Sequence, residues 1–393
     1  MTLAILGGKP VRDTYLSYGQ QWIDSDDIQS VIDTLTSPFI TQGPRIEEFE
    51  KKVAQYSGAK YAVAFANGTA ALHGACFAAG IGNGDEVITT PITFAASSNC
   101  VLYCGGRPVF ADIDEETYNI DPSKIEDVIT EKTKAIIPVD FTGQPVEMEA
   151  IRRIADKHDL VIIEDAAHSI GATFKGRRVG TLADMTMFSF HPVKHITTAE
   201  GGMIVTDSEE YAEKLRLFRS HGITNQNLTK DEGPWYYEMA ELGYNYRMTD
   251  LQAALGVAQL KKLDHFIANR RQIVDRYNQA FASLPGVRTP FQHVQTQSSW
   301  HLYMLSLNLE QLNVGRREIF EALRAENIGV HVHYIPVYLH PYYQKLGYEK
   351  GLCPAAEKWY ESALTLPLYP KMSDEDIKSV IKGVEKVIGH YLI

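Results

Sequence analysis

Seven short apolar runs, each followed by a turn or a helical pattern, dominate residues 60–207 of this 393-residue chain. The runs are rich in β-branched residues and are almost free of polar ones, which is typical of strands buried on both faces of a sheet. They are KYAVAFA (60–66), EVITT (86–90), RPVFADI (107–113), KAIIPVD (134–140), DLVIIED (159–165), MTMFSF (185–190) and GMIVTD (202–207). Helical patterns lie between several of them, so the sequence predicts an α/β fold with helices on both faces of the sheet.

The character of the chain changes after residue 250. Residues 248–284 have a helical pattern throughout, and segments 299–307 and 327–335 have the composition of strands. We therefore predict a large domain over residues 12–254 and a smaller α+β domain over residues 255–393. Residues 1–11 are expected to form an arm that packs on the smaller domain.

Charge and composition exclude several classes of protein. The formal net charge is -11, which argues against a general nucleic-acid binder, because such proteins present a basic surface. No stretch approaches the roughly 18 apolar residues of a membrane span. The four cysteines fit no zinc-site spacing and are expected to be free thiols in a reducing compartment. We expect a cytoplasmic protein that binds no nucleic acid, metal or membrane.

Residues that directly follow the runs are candidate site residues, because ligands bind at the carboxyl ends of strands in open α/β sheets. After the first run, Gly68 permits a tight turn and Thr69 offers a hydroxyl and a free amide at a helix N-terminus. Unpaired N–H groups there favour an anion, although a simple capped turn is the alternative. After the second run, Phe94 either packs in the core or stacks on a planar ring ligand.

A carboxylate ends the fifth run. Asp165 follows three buried β-branched residues, a position where a charge is costly unless it has a fixed partner. It is either the N-cap of the next helix or the partner of a buried cationic nitrogen. His168 follows three residues later, near the same face.

A lysine follows the sixth run. Ser189 lies near the end of that run, Lys194 lies in the following loop, and Gly201 and Gly202 are expected to let the returning strand pass close behind a ligand. A surface turn with a solvated lysine is the alternative. A ring with a phosphate, an aldehyde and a basic nitrogen would use the anion-binding turn, the aromatic ring, the carboxylate and the lysine together. That ligand is pyridoxal 5'-phosphate (PLP).

Motifs along nearly the whole chain resemble the DegT/DnrJ/EryC1/StrS sugar aminotransferases, which are PLP enzymes of fold type I. These motifs are NGTAAL (67–72), GDEVITTPITFAAS (84–97), EDAAHSIGA (164–172), SFHPVKHITTAEGGM (189–203), GYNYRMTDLQAA (243–254) and SSWHLYML (298–305). The resemblance implies a large domain with a mostly parallel seven-stranded sheet in a three-layer αβα arrangement. The stretches PWYYEM (234–239) and HYIPVYLHPYY (333–343) are most similar to the branch that serves pseudaminic acid synthesis.

The resemblance assigns roles around the cofactor ring. Lys194 matches the lysine that holds the cofactor, and Asp165 matches the carboxylate that keeps the ring nitrogen protonated. His168 falls beside the phenolic oxygen. Phe94 matches the aromatic residue that stacks on the ring. His195, directly after the lysine, departs from the altrosamine branch, where proline is more frequent at this position.

The resemblance also assigns the phosphate contacts. Gly68 and Thr69 match the phosphate turn, and Ser189 adds a hydroxyl. Asn245 matches an asparagine that reaches the phosphate of the neighbouring subunit's cofactor. The resemblance therefore implies a homodimer with two shared active sites.

The reaction implied by the resemblance moves an amino group from L-glutamate to the C4 ketone of a nucleotide-linked 4-keto-6-deoxy sugar. The expected substrate is UDP-4-keto-6-deoxy-N-acetyl-L-altrosamine. Arg247, His331 and Tyr334 are candidate substrate contacts, with an interface salt bridge or plain packing as alternatives. The alternatives for function are an aminotransferase for another dTDP- or GDP-linked sugar with the ketone at C3 or C4, a PLP dehydratase, and a non-catalytic regulatory protein of the same fold.

Overall fold

The computed structural model describes residues 2–226, 228–230 and 232–393. The strands are β1 (Tyr61–Phe65), β2 (Glu86–Thr89), β3 (Arg107–Phe110), β4 (Thr133–Ile137), β5 (Val161–Asp165), β6 (Thr173–Phe174), β7 (Arg177–Arg178), β8 (Met185–Ser189), β9 (Gly202–Thr206), β10 (Ile223–Thr224), β11 (Glu238–Met239), β12 (Val287–Arg288), β13 (Thr296–Gln297), β14 (Tyr303–Leu307) and β15 (Ala363–Leu366). Each of the seven apolar runs overlaps one strand of the large sheet, as predicted, although β4 begins one residue before its run.

Thirteen α-helices accompany these strands in the described part of the chain. They are α1 (Ser25–Leu35), α2 (Pro44–Ser57), α3 (Gly68–Ala78), α4 (Ala96–Tyr103), α5 (Pro122–Ile125), α6 (Met148–His158), α7 (Glu209–Phe218), α8 (Asp250–Leu260), α9 (Leu263–Phe281), α10 (Arg316–Ala325), α11 (Pro341–Lys345), α12 (Pro354–Ser362) and α13 (Asp374–Tyr391). Across the described residues, no helix is both long and apolar enough to cross a membrane.

The large sheet has seven strands in the order β1-β9-β8-β5-β4-β2-β3. β9 lies between β1 and β8 and runs antiparallel to both, whereas the other neighbours are parallel. The predicted, mostly parallel seven-stranded sheet is therefore confirmed. The parallel strands all end at one edge, and that edge carries the candidate site residues.

Both faces of this sheet are buried, which explains why its strands are almost continuously apolar. In β1, Val63 and Phe65 pack in a cluster with α3, α4 and α7, whereas Ala62 and Ala64 pack in a second cluster with α2 and α8. Successive side chains of a strand point to opposite faces, so an apolar residue is needed at every position. The helix layers on the two faces give the three-layer arrangement.

The C-terminal part of the chain has its own core around the antiparallel sheet β12-β14-β15. Leu3 is fully buried in this core, and the Ala4 N–H donates to Glu326 Oε1 over 2.8 Å. Helix α9 joins the two cores, because Phe266 packs with the large sheet and Tyr277 packs with the C-terminal sheet. The division into residues 12–254 and 255–393, with an N-terminal arm, stays a prediction.

The strand predicted over residues 327–335 is wrong. In this segment His331 forms an isolated bridge with Thr365, and Ile328 forms one with Leu16, without a continuous ladder. The backbone N–H groups of the segment have two different partners: Gly329 donates to the Leu16 carbonyl, and His331 donates to the Thr365 carbonyl. An N-terminal segment hundreds of residues away therefore takes the bonds that a neighbouring strand would have taken.

Gly202 allows a close approach between two parts of the candidate site. A Cβ atom at this position would lie 2.5 Å from the Asn67 carbonyl oxygen and 2.7 Å from the Gly68 nitrogen. Both contacts are with backbone, which cannot rotate away as a side chain can. Only glycine therefore lets β9 begin directly against the turn that opens α3.

We expect Gly202→Ala to lower the melting temperature by several degrees, because forced overpacking costs about 1–3 kcal/mol. Differential scanning calorimetry of the two proteins measures the change. Gly389→Ala is the matched control: Gly389 lies in α13, where an added Cβ would meet no neighbouring atom within 4 Å. The control variant should keep or slightly raise the melting temperature, because alanine favours helix over glycine. An unchanged melting temperature for Gly202→Ala would contradict the close approach.

Candidate functional site

An anion-binding turn opens α3 at the carboxyl end of β1. Asn67 Oδ1 caps the helix by accepting from the Ala70 N–H over 2.9 Å. The first N–H groups of a helix have no intrahelical partner, and the helix dipole favours negative charge there. A Cβ on Gly68 would lie 3.3 Å from Ser189 Cβ and 3.4 Å from Ser189 Oγ. The structure thus brings the Ser189 hydroxyl from β8 to the helix N-terminus at Gly68, and phosphate binding by Gly68, Thr69 and Ser189 stays a prediction.

Asp165 is the last residue of β5, and its side chain is almost completely buried. Ser97 Oγ donates to Asp165 Oδ2 over 2.6 Å, and the Ala167 N–H donates to Oδ1 over 3.1 Å. Burial raises the pKa of Asp165 above its ordinary value, despite these two donors and the nearby charge of Lys194. No Lys, Arg or His nitrogen of the described residues forms an ion pair with it. The pocket therefore presents a carboxylate that would be stabilised by a cationic partner.

Lys194 lies in a loop that closes on itself between β8 and β9. The Phe190 N–H donates to the Gly201 carbonyl over 2.9 Å, and the Thr198 N–H donates back to the Phe190 carbonyl over 3.0 Å. Burial lowers the pKa of Lys194 to about 8, although the Asp165 carboxylate acts in the opposite direction. The loop thus presents an amine that is far easier to deprotonate than an ordinary lysine.

Aromatic and imidazole rings form one wall of the site. Tyr334 Oη lies 3.5 Å from His168 Nε2, and the Phe94 and Tyr334 ring centroids are 6.2 Å apart. Burial lowers the pKa of His168 well below its ordinary value, so its imidazole is neutral. Phe94 has 62% of its surface exposed. A large ring held open beside a pocket offers a stacking surface for a planar ligand.

These residues fit PLP on chemical grounds. The helix N-terminus and Ser189 suit a phosphate, and buried Asp165 suits the cationic ring nitrogen. The His168 Nδ1 atom has no hydrogen-bond partner in the described part of the chain. Lys194 can react with an aldehyde in its neutral form, and Phe94 suits the face of the ring. Each group of the cofactor therefore has a partner of matching chemistry at this edge of the sheet.

Asn245 and Arg247 flank Tyr246, whose carbonyl accepts from the Ala66 N–H over 2.7 Å directly before the turn that opens α3. Asn245 is exposed, and its backbone forms an isolated bridge with Ser220. Arg247 is half-buried and has no ion-pair partner in the described residues. Arg219, a further cation close in sequence, pairs with Glu50 and the Ala64 carbonyl and is not available for a substrate diphosphate.

His331 is connected to the site only through contacts between the rings of other residues. It is exposed, and its ring stacks on His333 with a centroid distance of 4.5 Å. His333 in turn packs edge-on against Tyr334 at 4.8 Å, and Tyr18 lies 5.3 Å from both histidines. In the described ranges, no group of three or more His, Cys, Asp or Glu residues could hold a metal ion.

Three residues of the site region were not predicted from the sequence: Ser97, Arg270 and His301. Ser97 lies three residues after Phe94 in the first turn of α4, a position where its hydroxyl could have been suspected. Arg270 occupies a buried position of α9 between Ile267 and Ile273, and a charged residue on an apolar helix face is a detectable signal. His301 has no such signal, because its contacts come from segments distant in sequence.

Comparisons with known proteins agree with this chemistry. Residues 21–385 match the model of the DegT/DnrJ/EryC1/StrS aminotransferase family. The spore coat polysaccharide biosynthesis protein SpsC of Bacillus subtilis is 46% identical over 381 residues, covering 96% of this chain and 98% of that protein. The UDP-4-amino-4,6-dideoxy-N-acetyl-beta-L-altrosamine transaminase of Campylobacter jejuni is 40% identical over 368 residues, covering 93% and 95%.

Solved structures show the same fold. PseC of Helicobacter pylori, an aminotransferase involved in the biosynthesis of pseudoaminic acid, has a TM-score of 0.90 at 33% identity and covers 96% of this chain and 100% of its own. Spr1654 of Streptococcus pneumoniae has been solved in a PLP-form, with a TM-score of 0.90 at 32% identity and coverage of 96% and 100%. The fold is therefore fold type I, as predicted. The chain belongs to the DegT/DnrJ/EryC1/StrS aminotransferase family, and its cofactor is PLP.

Proposed function

We propose that this aminotransferase moves an amino group from L-glutamate to the C4 ketone of UDP-4-keto-6-deoxy-N-acetyl-L-altrosamine. The observation that carries the catalytic part is the meeting of a neutralisable amine, Lys194, with a buried carboxylate, Asp165, beside a helix N-terminus. Retention of both groups argues against a non-catalytic protein of the same fold. The choice of sugar is supported by the names of the Campylobacter and Helicobacter relatives.

A second nucleotide keto-sugar is the alternative substrate. The Bacillus relative is 46% identical and is named for spore coat polysaccharide biosynthesis, whereas the altrosamine transaminase is 40% identical. A dTDP- or GDP-linked sugar, with its ketone at C3 or C4, would use the same lysine and carboxylate. The two possibilities therefore differ in the sugar and nucleotide contacts, for which we propose Arg247, His331 and Tyr334.

PLP supplies a ring that accepts the electron pair left on the amino-bearing carbon when its proton is removed. Neutral Lys194 Nζ takes that proton as a general base and returns it as a general acid. The low pKa of Lys194 makes the neutral form accessible near neutral pH. A lysine with its ordinary pKa would be protonated almost completely under the same conditions.

The other residues of the proposed site hold and orient the cofactor. Asp165 pairs with the ring nitrogen and keeps a proton on it, and Ser97 fixes the carboxylate through its 2.6 Å hydrogen bond. The N–H groups of Gly68 and Thr69, together with Ser189 Oγ, hold the phosphate. We also propose that Phe94 covers one face of the cofactor ring and that His168 donates to the phenolic oxygen.

We further propose a cytoplasmic homodimer in which Asn245 completes the phosphate site of the partner. The segment before Asn245 exposes large apolar side chains: Trp235, Met239 and Leu242 have 75%, 67% and 74% of their surface exposed. Contiguous exposed apolar residues mark interaction surfaces. The exposed Asn245 stands at the end of this segment, where a second subunit would reach it.

A panel of keto-sugars tests the proposed substrate. Purified protein is incubated with PLP, L-glutamate and UDP- or dTDP-linked 4-keto-6-deoxy sugars, and the product is identified by mass spectrometry and NMR. We expect amination at C4 of the UDP-linked altrosamine derivative and formation of 2-oxoglutarate. Lys194→Ala should give no product and no visible absorbance of lysine-bound cofactor. Preferential amination of a dTDP-linked sugar would support the alternative substrate, and full turnover by Lys194→Ala would contradict the role of the lysine.

Asp165→Asn should reduce the turnover rate at least about 10²–10³-fold, because a neutral amide no longer stabilises charge on the ring nitrogen. Steady-state kinetics at saturating cofactor, with PLP occupancy measured separately, give this number. Ser97→Ala is the matched variant: it removes the hydrogen bond to Asp165 but leaves the charge. It should lose about tenfold or less, as expected for one hydrogen bond to a charged group. Equal losses in the two variants would show that the charge of Asp165 is not what matters.

Mixing inactive variants tests the shared site. Lys194→Ala and Asn245→Ala protomers, unfolded together and refolded, should recover activity in about a quarter of the sites by random pairing in a two-fold dimer. A mixture of Lys194→Ala with Asp165→Asn is the control and should stay inactive, because both residues are contributed by the same protomer. Equal activity of the two mixtures would contradict a site shared across subunits.

A further inference from the structure

Arg270 is a buried cation without an acidic partner. Its side chain is 1% exposed, and it forms no salt bridge with any carboxylate of the described residues. Its Nη1 donates to the carbonyl oxygens of Trp300 at 3.2 Å, His301 at 3.2 Å and Leu368 at 2.9 Å. A buried charge left without a counter-ion is costly. Three carbonyl dipoles compensate for it only in part, so its retention inside the protein calls for a physical reason.

The segment held by Arg270 packs against the lysine loop. The His301 ring lies 5.7 Å from the ring of His195, the residue directly after Lys194, and 4.3 Å from the ring of His168. His195 Nε2 lies 3.0 Å from the Ser299 carbonyl oxygen. The buried rings of His301 and His195 thus lie between the carbonyl groups that Arg270 holds and the loop that carries Lys194.

Other groups around Lys194 do not offset the positive charge of Arg270. Four imidazoles lie nearby, those of His168, His195, His301 and His333. Burial lowers the pKa of each of them, so they are neutral. Burial also raises the pKa of the Tyr334 hydroxyl, so this group is neutral as well. Among the described residues, Asp165 is the anion that acts on Lys194, and Arg270 is the full cation that does so. Once Asp165 pairs with the ring nitrogen of the cofactor, the charge of Arg270 remains to act on the lysine.

We propose that Arg270 is a positioning residue for the reaction, whose buried positive charge favours the neutral form of Lys194. This inference rests on the proposed role of Lys194 and extends it to a residue that does not touch the cofactor. Burial lowers the pKa of Arg270, but a guanidinium keeps its proton in proteins. Arg270 is therefore still charged where Lys194 loses its proton.

The test measures the rate at which cofactor-free protein takes up PLP, followed by the visible absorbance of lysine-bound cofactor between pH 6 and 11. Only neutral Lys194 reacts, so the rate rises through the pKa of the lysine. In wild-type protein we expect the midpoint near pH 8. In Arg270→Gln and in Arg270→Met, the midpoint should rise by roughly one pH unit, which is the order expected for one nearby charge in a protein interior.

Two control variants separate charge from structural support. Ser299→Ala removes the 3.0 Å hydrogen bond from Ser299 Oγ to the His168 carbonyl and loosens the same segment without changing a charge. Arg276→Gln removes a charge from the same helix, but Arg276 is paired with Asp374 and lies at the surface. Both should keep the wild-type midpoint, whatever they do to the melting temperature.

Each outcome has a distinct meaning. A wild-type midpoint near the ordinary lysine value of about 10.4, or an unchanged midpoint in a folded Arg270 variant, would overturn the role of Arg270. The same shift in Ser299→Ala would also overturn it, since loosening of the segment would then be the cause. Absence of the visible absorbance in wild-type protein at every pH would instead overturn the proposed role of Lys194.

Discussion

The buried carboxylate of Asp165 is the constraint on which the rest of the site depends. β5 carries it to the edge of the sheet, where its side chain is 4% exposed and accepts hydrogen bonds from Ser97 and Ala167. Such a group is stable as an anion only beside a cation. In the proposed site, the ring nitrogen of the cofactor would meet this requirement, and cofactor binding would then stabilise the charged form of Asp165.

Charge around the lysine is balanced in a way that depends on the cofactor. Asp165 favours the protonated form of Lys194, whereas burial and Arg270 favour the neutral form. The imidazoles add hydrogen-bonding capacity without adding charge, because burial keeps them neutral. In the proposed site, a phosphate at the helix N-terminus and a cationic nitrogen at the carboxylate would leave Lys194 free to move a proton.

The sequence predicted the elements of the site better than their surroundings. Gly68, Ser189 and Asp165 each follow a strong strand signal, so their meeting at one edge follows from the topology of parallel strands. The strand expected over residues 327–335 was wrong, because the backbone there bonds to Leu16 and Thr365. Arg270 was overlooked although its place on an apolar helix face was a detectable signal, and its partners are carbonyl groups near residues 300 and 368. Partners this distant cannot be read from local patterns.

By itself, the sequence determined the sheet and the chain order of the turns at its carboxyl edge, and it predicted residue types whose chemistry matches PLP. These depend on local periodicity and on residues at strand ends, which one chain segment carries alone. The tertiary structure decided the electrostatics: how deeply Asp165 is buried, that Arg219 is already occupied by Glu50, and that Arg270 lies behind the lysine loop. The reason is physical, since the energy of a charge depends on the solvent excluded and the dipoles supplied by segments that meet only when the chain is folded.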